Sequence, residues 1–353
     1  MNESNDMPAY FRYWGKAGKG EHENRHHLLA YHCLDVAAMG EVLLRRHTSL
    51  CRLFTDRLGL NTTTFLAWHR FFLALHDLGK FSYRFQGLRK DLLKTLQGIE
   101  TRDDYTWRHD SLGWLLWSEK LRDQIFQAGL FGFEPSRPWR TAFDCWAKAV
   151  TGHHGQPPKD LNRQVWIKDQ FSISDTEAVR LFATECVELL LPTLQPVTLP
   201  DAKTFRDAMK PVSWWLAGTA VLCDWLGSGR DPTEFHAEAM SLDEYWHDCA
   251  LPHADSVVDR SGVLPLDSTQ CALEELRTMG VSNMIRVSLV TEAKLFLAEA
   301  EIIRRFRFFG KRNKNVRGLN GCSEGQLSAQ DPLFVAGQPG DRSIRLCIVS
   351  NYV

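Results

Sequence analysis

The chain has no uninterrupted apolar stretch of about 18 residues, the length a membrane-spanning helix needs, and Met1 to Pro8 is polar and acidic. Such a start lacks the basic segment and apolar run of a secretory signal. A soluble, cytoplasmic protein without a membrane partner is expected. The nine cysteines are odd in number and never form Cys-x-x-Cys, which argues against a disulfide framework and against a structural zinc site. Charge of one sign is also lacking. Lys and Arg number 42 against 43 Asp and Glu, a net of -1, so any nucleic acid must be bound by a local groove rather than by the global field. Every Gly-Lys pair, at positions 15, 18, 79 and 310, is followed by Ala, Gly, Phe or Arg. No P-loop can therefore cradle ATP phosphates, and no ATP site is expected. Neither an internal repeat of fixed period nor a sustained alternating strand pattern is found before residue 280.

What the chain does have is helical periodicity. Its 353 residues, 44% hydrophobic, are ample for a packed core. His27 to Arg46 carries Leu28, Tyr31, His32, Val36, Met39 and Leu43 at three- and four-residue spacing, which puts His32 on the apolar face. Asn61 or one of the threonines after it caps a helix through Phe65, Trp68, Phe72 and Leu75, with Gly79 placed to end it. Further helices are expected over Ser111 to Gln127, Trp139 to Val150, Asp175 to Leu191, Lys203 to Lys210 and Pro211 to Trp225, where Pro211 suits a first helical position. Prolines 135, 138, 157, 158, 192, 196 and 200 fall between the elements as breakers. The fold class is mainly α.

The chemistry concentrates on histidine. His76-Asp77 closes an apolar helix, with Lys80 one turn later. An imidazole supplies a neutral nitrogen and the adjacent carboxylate an anionic oxygen that can bridge two cations, which is the need of a dinuclear phosphohydrolase. One such dipeptide is common by chance, and one histidine on an apolar helix face is more often a hydrogen-bonded core residue than a ligand. Here the setting recurs: His32, then His76-Asp77, His109, His153-His154 and Asp224. Burying five imidazoles and two carboxylates without compensating charge costs several kcal/mol. Two divalent cations sharing one carboxylate satisfy all seven. Nitrogen-rich ligation without thiolate favours iron, manganese, cobalt or nickel over magnesium.

The His-Asp pair is the signature of the HD metal-dependent phosphohydrolases. Tyr13-Trp14-Gly15-Lys16, Tyr31-His32-Cys33-Leu34-Asp35-Val36-Ala37, Ala74 to Phe81 with Arg84-Phe85-Gln86, Val150-Thr151-Gly152-His153-His154-Gly155 and Asp224-Trp225-Leu226-Gly227-Ser228 narrow it further. Over roughly residues 10 to 235 the chain resembles the HD nuclease domain of the CRISPR type I nuclease-helicases, closest to subtype I-E. The resemblance implies a helical bundle around a dinuclear centre. It implies one metal held by His32, His76, Asp77 and Asp224, and a second by Asp77, His109, His153 and His154, with catalytic roles for His76, Asp77 and Lys80. Lys80 would stabilise charge on the scissile phosphate. Of these positions, His109 keeps the least of the family's local pattern.

The implied activity is hydrolysis of single-stranded DNA in antiviral defence, beside a Cascade-type surveillance complex. Arg84, Gln86, Arg89 and Lys90 are candidate DNA-binding residues, with Tyr83 and Phe85 available for stacking; a solvated helix face over core aromatics is the competing reading. The family's fused helicase lobes need a P-loop that is missing here, and the 88 residues after 265 are too few for two lobes. The chain is therefore read either as a stand-alone nuclease subunit working with a separate helicase subunit or as a truncated or rearranged version of the fused protein. The HD nuclease domain is placed at 1–265. Region 266–353 is left unassigned, a tail open to partial disorder, with two helices readable over Ser268 to Phe309. Arg304, Arg305, Arg307, Lys311, Arg312, Lys314 and Arg317 form a basic run within it. Two rival functions are an HD-type nucleotide phosphohydrolase and a non-catalytic docking remnant of the fused protein.

Overall fold

The computed structural model describes residues 7–265 apart from 128–130, 132, 134, 162–163 and 192–198. The tail readings, including the helices over Ser268 to Phe309 and the basic run, lie outside the described residues. Two short strands, β1 (Trp14–Ala17) and β2 (His26–Leu28), pair antiparallel, with an irregularity between Trp14 and Lys16. They are too short for the alternating pattern on which a strand would be recognised in the sequence. Gly15 sits at that irregularity because a Cβ there would lie 2.9 Å from Leu29 Cα and 3.0 Å from His32 Cβ. The ribbon thus lies directly on the first turn of the next helix.

That helix, α1 (Leu29–Arg46), is the centre of the described part, buried at every position from Leu29 to Leu44. It has no side-chain cap; instead the Leu29 amide donates to the Tyr13 carbonyl at 2.7 Å, so tertiary structure satisfies a donor that a cap residue usually takes. Arg45 and Arg46 in its last turn suit the negative helix end. Then come α2 (Thr48–Leu58) and α3 (Thr62–Ala74), the latter capped by Asn61 accepting from the Thr64 amide, as expected. α3 stops at Ala74 rather than running on to Gly79, and Leu78–Phe81 form a 3₁₀ turn. Gly79 is not a terminator. A Cβ there would stand 1.9 Å from the His109 carbonyl oxygen and 2.8 Å from the Gly113 nitrogen, so its small size is what lets the turn touch the helix beginning at His109.

The chain continues through α4 (Tyr83–Gln86), α5 (Lys90–Gln97), α6 (His109–Leu116), a π turn at Trp117–Leu121, and α7 (Arg122–Gln127). Next are α8 (Arg137–Thr151), α9 (Ile167–Gln170) and α10 (Ile173–Leu190), whose Ser172 and Asp175 form a capping box. α11 (Ala202–Gly227) is one helix, not the two expected to meet at Pro211. Proline lacks the amide proton and costs about 3 kcal/mol inside a helix. Phe205, Met209, Val212, Leu216, Ala220 and Cys223 form one buried stripe on both sides of it, and that burial outweighs the cost. α12 (Leu242–Tyr245) and α13 (Leu251–Ser261) close the described part.

α8 packs along α11, while α1 is flanked by α3, α11 and α13. An aromatic cluster fills the space between α3, α8 and α11: Trp68 meets Phe143 and Phe205 edge-on, and Phe72 stacks on Trp146 with ring centroids 5.1 Å apart. The expected mainly α bundle is what forms. Among the described residues no helix is long and apolar enough to cross a membrane, and Cys33, Cys51, Cys145, Cys186, Cys223 and Cys249 are free.

Candidate metal centre

Five elements converge beneath the β ribbon. α1 supplies His32, the turn after α3 supplies His76 and Asp77, α6 begins with His109, the turn after α8 supplies His153 and His154, and the last turn of α11 supplies Asp224. All seven residues singled out in the sequence meet at this one place, although they are spread from residue 32 to residue 224.

Asp77 is its pivot. Its Oδ2 lies 3.0 Å from His32 Nε2 and 3.2 Å from His76 Nε2, and those two nitrogens are 3.6 and 3.7 Å from Asp224 Oδ1. Its other oxygen, Oδ1, lies 3.4 Å from His109 Nε2 and 3.5 Å from His153 Nε2, while His154 Nε2 is 2.8 Å from His109 Nε2. The inner group, His32, His76 and Asp77, is buried; the outer group runs from buried His153 through half-buried His109 to exposed His154. One carboxylate therefore faces two groups of nitrogen donors, one oxygen to each.

The arrangement fits a pair of divalent cations. Donors on arms of about 2.1 Å stand roughly 3.0–3.4 Å apart at octahedral or tetrahedral angles, close to the separations seen. His76 Nε2 and Asp77 Oδ1 are buried without a hydrogen-bond partner, a costly condition that a cation would relieve. The back nitrogens of three histidines are engaged: His76 Nδ1 with the Leu73 carbonyl at 2.8 Å, His153 Nδ1 with the Val150 carbonyl at 3.3 Å, and His109 Nδ1 with Tyr105 Oη at 3.1 Å. A proton held on Nδ1 leaves Nε2 as a lone pair aimed inward, the usual support of a metal-binding imidazole. No such partner holds His32 Nδ1 among the described residues.

Electrostatics agree. Burial alone would push the Asp77 carboxyl up, but Lys80 and His76 hold it well below the usual range. Asp224 is held low against the same burial by His76, His153 and Lys16. Burial lowers His32, His109 and His154 and brings His153 down to about 4, so these rings are neutral near pH 7. His76 goes the other way, to about 9, because Asp77 and Asp224 outweigh the burial that opposes its charge. Lys80 Nζ is 2.5 Å from Asp77 Oδ2.

The candidate DNA-binding residues fare unevenly. Gln86 is fully buried, and its amide is spent on the Trp14 backbone and the Lys80 carbonyl; it braces β1 and offers nothing to a strand. Phe85 is buried against Trp14 and Leu92. Arg84 binds the carbonyls of Asp169 and Asp104, and Arg89 pairs with Asp91 and the Glu23 carbonyl. Tyr83 donates to Asp103, and Lys90 is exposed.

Two supports went unread in the sequence. Lys16 Nζ donates to Ser228 Oγ at 2.6 Å, and that hydroxyl donates to Asp224 Oδ1 at 2.9 Å. Both residues stand in the phrases quoted above, where only their pairing in space assigns them a role. Tyr105, beside His109, carries no sequence signal at all.

Known proteins resemble this chain in sequence and in fold. Residues 14–232 match the family model described as Cas3, HD domain. The CRISPR-associated endonuclease/helicase Cas3 of Escherichia coli (strain K12) is 31% identical over 275 residues, 71% of this chain and 30% of that protein. The chain thus spans under a third of that relative's length. A crystal structure of a CRISPR-associated protein superposes with TM-score 0.58 at 22% identity over 75% of this chain and 28% of that one. T. fusca Cas3-AMPPNP gives 0.55 at 18% over 81% and 31%. At such identities the two structures speak for the fold, while the family match and the E. coli relative speak for descent: the chain belongs to the Cas3 HD-domain family.

Proposed function

We propose that this chain is a metal-dependent nuclease hydrolysing the phosphodiester bonds of single-stranded DNA in CRISPR interference, acting with a Cascade-type complex. The observation that carries the reading is the division of the Asp77 carboxylate between two groups of histidines. His32, His76, Asp77 and Asp224 would hold one divalent cation, and Asp77, His109, His153 and His154 the other. The donor set contains no thiolate and suits iron, manganese, cobalt or nickel. Bound there, the pair of cations would supply Lewis acidity toward a phosphate and a nucleophilic water at neutral pH.

The chain's own residues do the rest. Asp77 keeps the two positions adjacent, and Lys80 balances its charge. His76 must surrender its proton as a cation enters, so loading releases protons. The inner histidines are sealed, whereas Asp224 and His109 are partly open and His154 is exposed; a substrate would approach from that side. A flexible single strand fits such a recess better than a duplex does. The E. coli relative is named an endonuclease as well as a helicase, and the matched part of this chain is the HD part. We place the nuclease unit within 1–265, since every candidate ligand lies between 32 and 224. Removing 266–353 should leave metal content intact, and the basic run from Arg304 to Arg317 would add a salt-dependent share of DNA affinity.

The test is incubation of the purified chain with circular single-stranded DNA and manganese, cobalt or nickel, without ATP, beside a panel of nucleotides. Degradation of the circle is expected. Turnover of nucleotides alone would move the chain to the nucleotide phosphohydrolases, and inertness toward both with two cations bound would leave the docking-remnant reading.

A further inference from the structure

His109 is the ligand candidate with the weakest sequence support, yet one residue outside the candidate metal centre is built around it. Tyr105 Oη receives the His109 backbone amide at 2.5 Å and lies 3.1 Å from His109 Nδ1. Arg108, at the N-cap of α6, makes no side-chain cap, so the tyrosine oxygen takes one of the amides that a helix start leaves unpaired. Phe85 packs edge-on against both rings, with centroids 5.5 Å from Tyr105 and 5.4 Å from His109. The imidazole and the phenol are therefore held as a unit.

A phenol oxygen has one proton and two lone pairs, and a neutral imidazole has one proton for two nitrogens. Two arrangements satisfy this contact. In one, Tyr105 Oη accepts from both the His109 amide and Nδ1–H, turning its own proton toward solvent, and Nε2 is a bare lone pair. In the other, Tyr105 donates to a bare Nδ1 and the ring proton sits on Nε2, where His154 Nε2 at 2.8 Å accepts it. Only the first lets His109 and His154 both aim lone pairs at a shared cation. His76 has no comparable choice of tautomer, since its Nδ1 faces a carbonyl, which can only accept.

We propose that Tyr105 is a positioning residue whose hydroxyl orientation selects the His109 tautomer, so that the outer position takes a cation only after the ring proton has moved to Nδ1. The inference rests on the two-cation reading given above. It makes the tyrosine hydroxyl a control on the position that lies on the side where substrate would enter.

The test uses residues 1–353. In titration calorimetry with manganese, Tyr105→Phe should weaken one of two equivalents by about 10–100-fold and leave the other as in wild type, as the loss of an outer support does at metal sites. Thermal melting checks that the variant is folded. Nitrogen chemical shifts of labelled histidine, read in wild type before and after zinc addition, report the tautomer without any substitution. A change of His109 from Nε2–H to Nδ1–H on adding zinc is expected. Unchanged binding in Tyr105→Phe, or a His109 fixed as Nδ1–H throughout, would each overturn the role of Tyr105 while leaving the dinuclear reading in place. Absence of any stoichiometric manganese or zinc binding by wild type would overturn both.

Discussion

Lys80 and Asp77 form a buried ion pair, Nζ to Oδ2 at 2.5 Å, with the carboxylate inaccessible to solvent and the lysine nearly so. The same Oδ2 is the oxygen that faces His32 and His76. Removing one partner of a buried pair usually costs about 3–5 kcal/mol, because the other is left uncompensated. Lys80→Met should therefore melt well below wild type in chelator, and manganese should raise its melting temperature more than it raises that of wild type, since a cation takes over the missing charge. Equal metal-induced shifts in the two proteins would show that the ammonium is not the counter-charge of the centre.

Asp77→Ala removes the carboxylate common to both groups of donors. Bound metal should fall at both positions and nuclease activity should be all but lost, beyond the roughly 10–100-fold typical of an outer-support substitution. A variant that retained two equivalents of metal and a substantial share of the wild-type rate would displace Asp77 from the bridging position.

Gly79→Ala pushes a methyl group against the His109 carbonyl, where 1.9 Å is available. The start of α6 must retreat, at a cost of about 1–3 kcal/mol for such overpacking, and His109 goes with it. Lower thermal stability together with preferential weakening of the outer cation in calorimetry is the expected result. Unchanged binding at both positions would mean that the turn and the helix move independently.

The ligand candidates could be found in the sequence because each stands in a short phrase on an apolar helix, and helical periodicity alone aims His32 inward. The supports could not. Tyr105 precedes His109 by four residues in a non-helical approach, so no period connects them. Lys16 and Ser228 are separated by nearly the whole described chain. Gly79 was read through local rules as a helix stop, whereas its reason lies in α6, thirty residues on. Pro211 misled in the same direction: the local rule ends a helix there, and only the continuous stripe from Phe205 to Cys223 along α8 and α1 carries it through. Gln86 read as a polar residue on a groove because its partners, the Trp14 backbone and the Lys80 carbonyl, are invisible without the fold.

Asp35 anchors a second buried network, receiving bonds from His27 at 2.9 Å, Arg230 at 2.8 and 3.2 Å and Tyr245 at 2.9 Å. Burial works to raise its pKa, but His27 and then Arg230 outweigh it and hold the carboxyl well below the ordinary value. A depressed folded-state pKa contributes stability that is complete above the unfolded value, near 3.9, and is lost as pH falls toward the folded one. Asp35→Asn should thus be less stable than wild type at pH 6, by about 3–5 kcal/mol for a broken buried pair. The gap should narrow below pH 4 by up to about 1.4 kcal/mol per unit. Chemical denaturation at pH 6 and pH 3 checks this; a gap that stays constant would assign the stability to packing instead.

The seven donors come from five separate elements, and no two groups of them are neighbours along the chain. An unfolded chain cannot present them together, so a cation that fits the centre binds the native state almost exclusively. Free metal concentration would then act on the whole folding equilibrium, adding about 2.7 kcal/mol at one hundred times the dissociation constant for each position filled. Scarcity of the right ion would reach further than the rate of cleavage: it would lower the fraction of chain that is folded at all, and with it the lifetime of the protein against proteases.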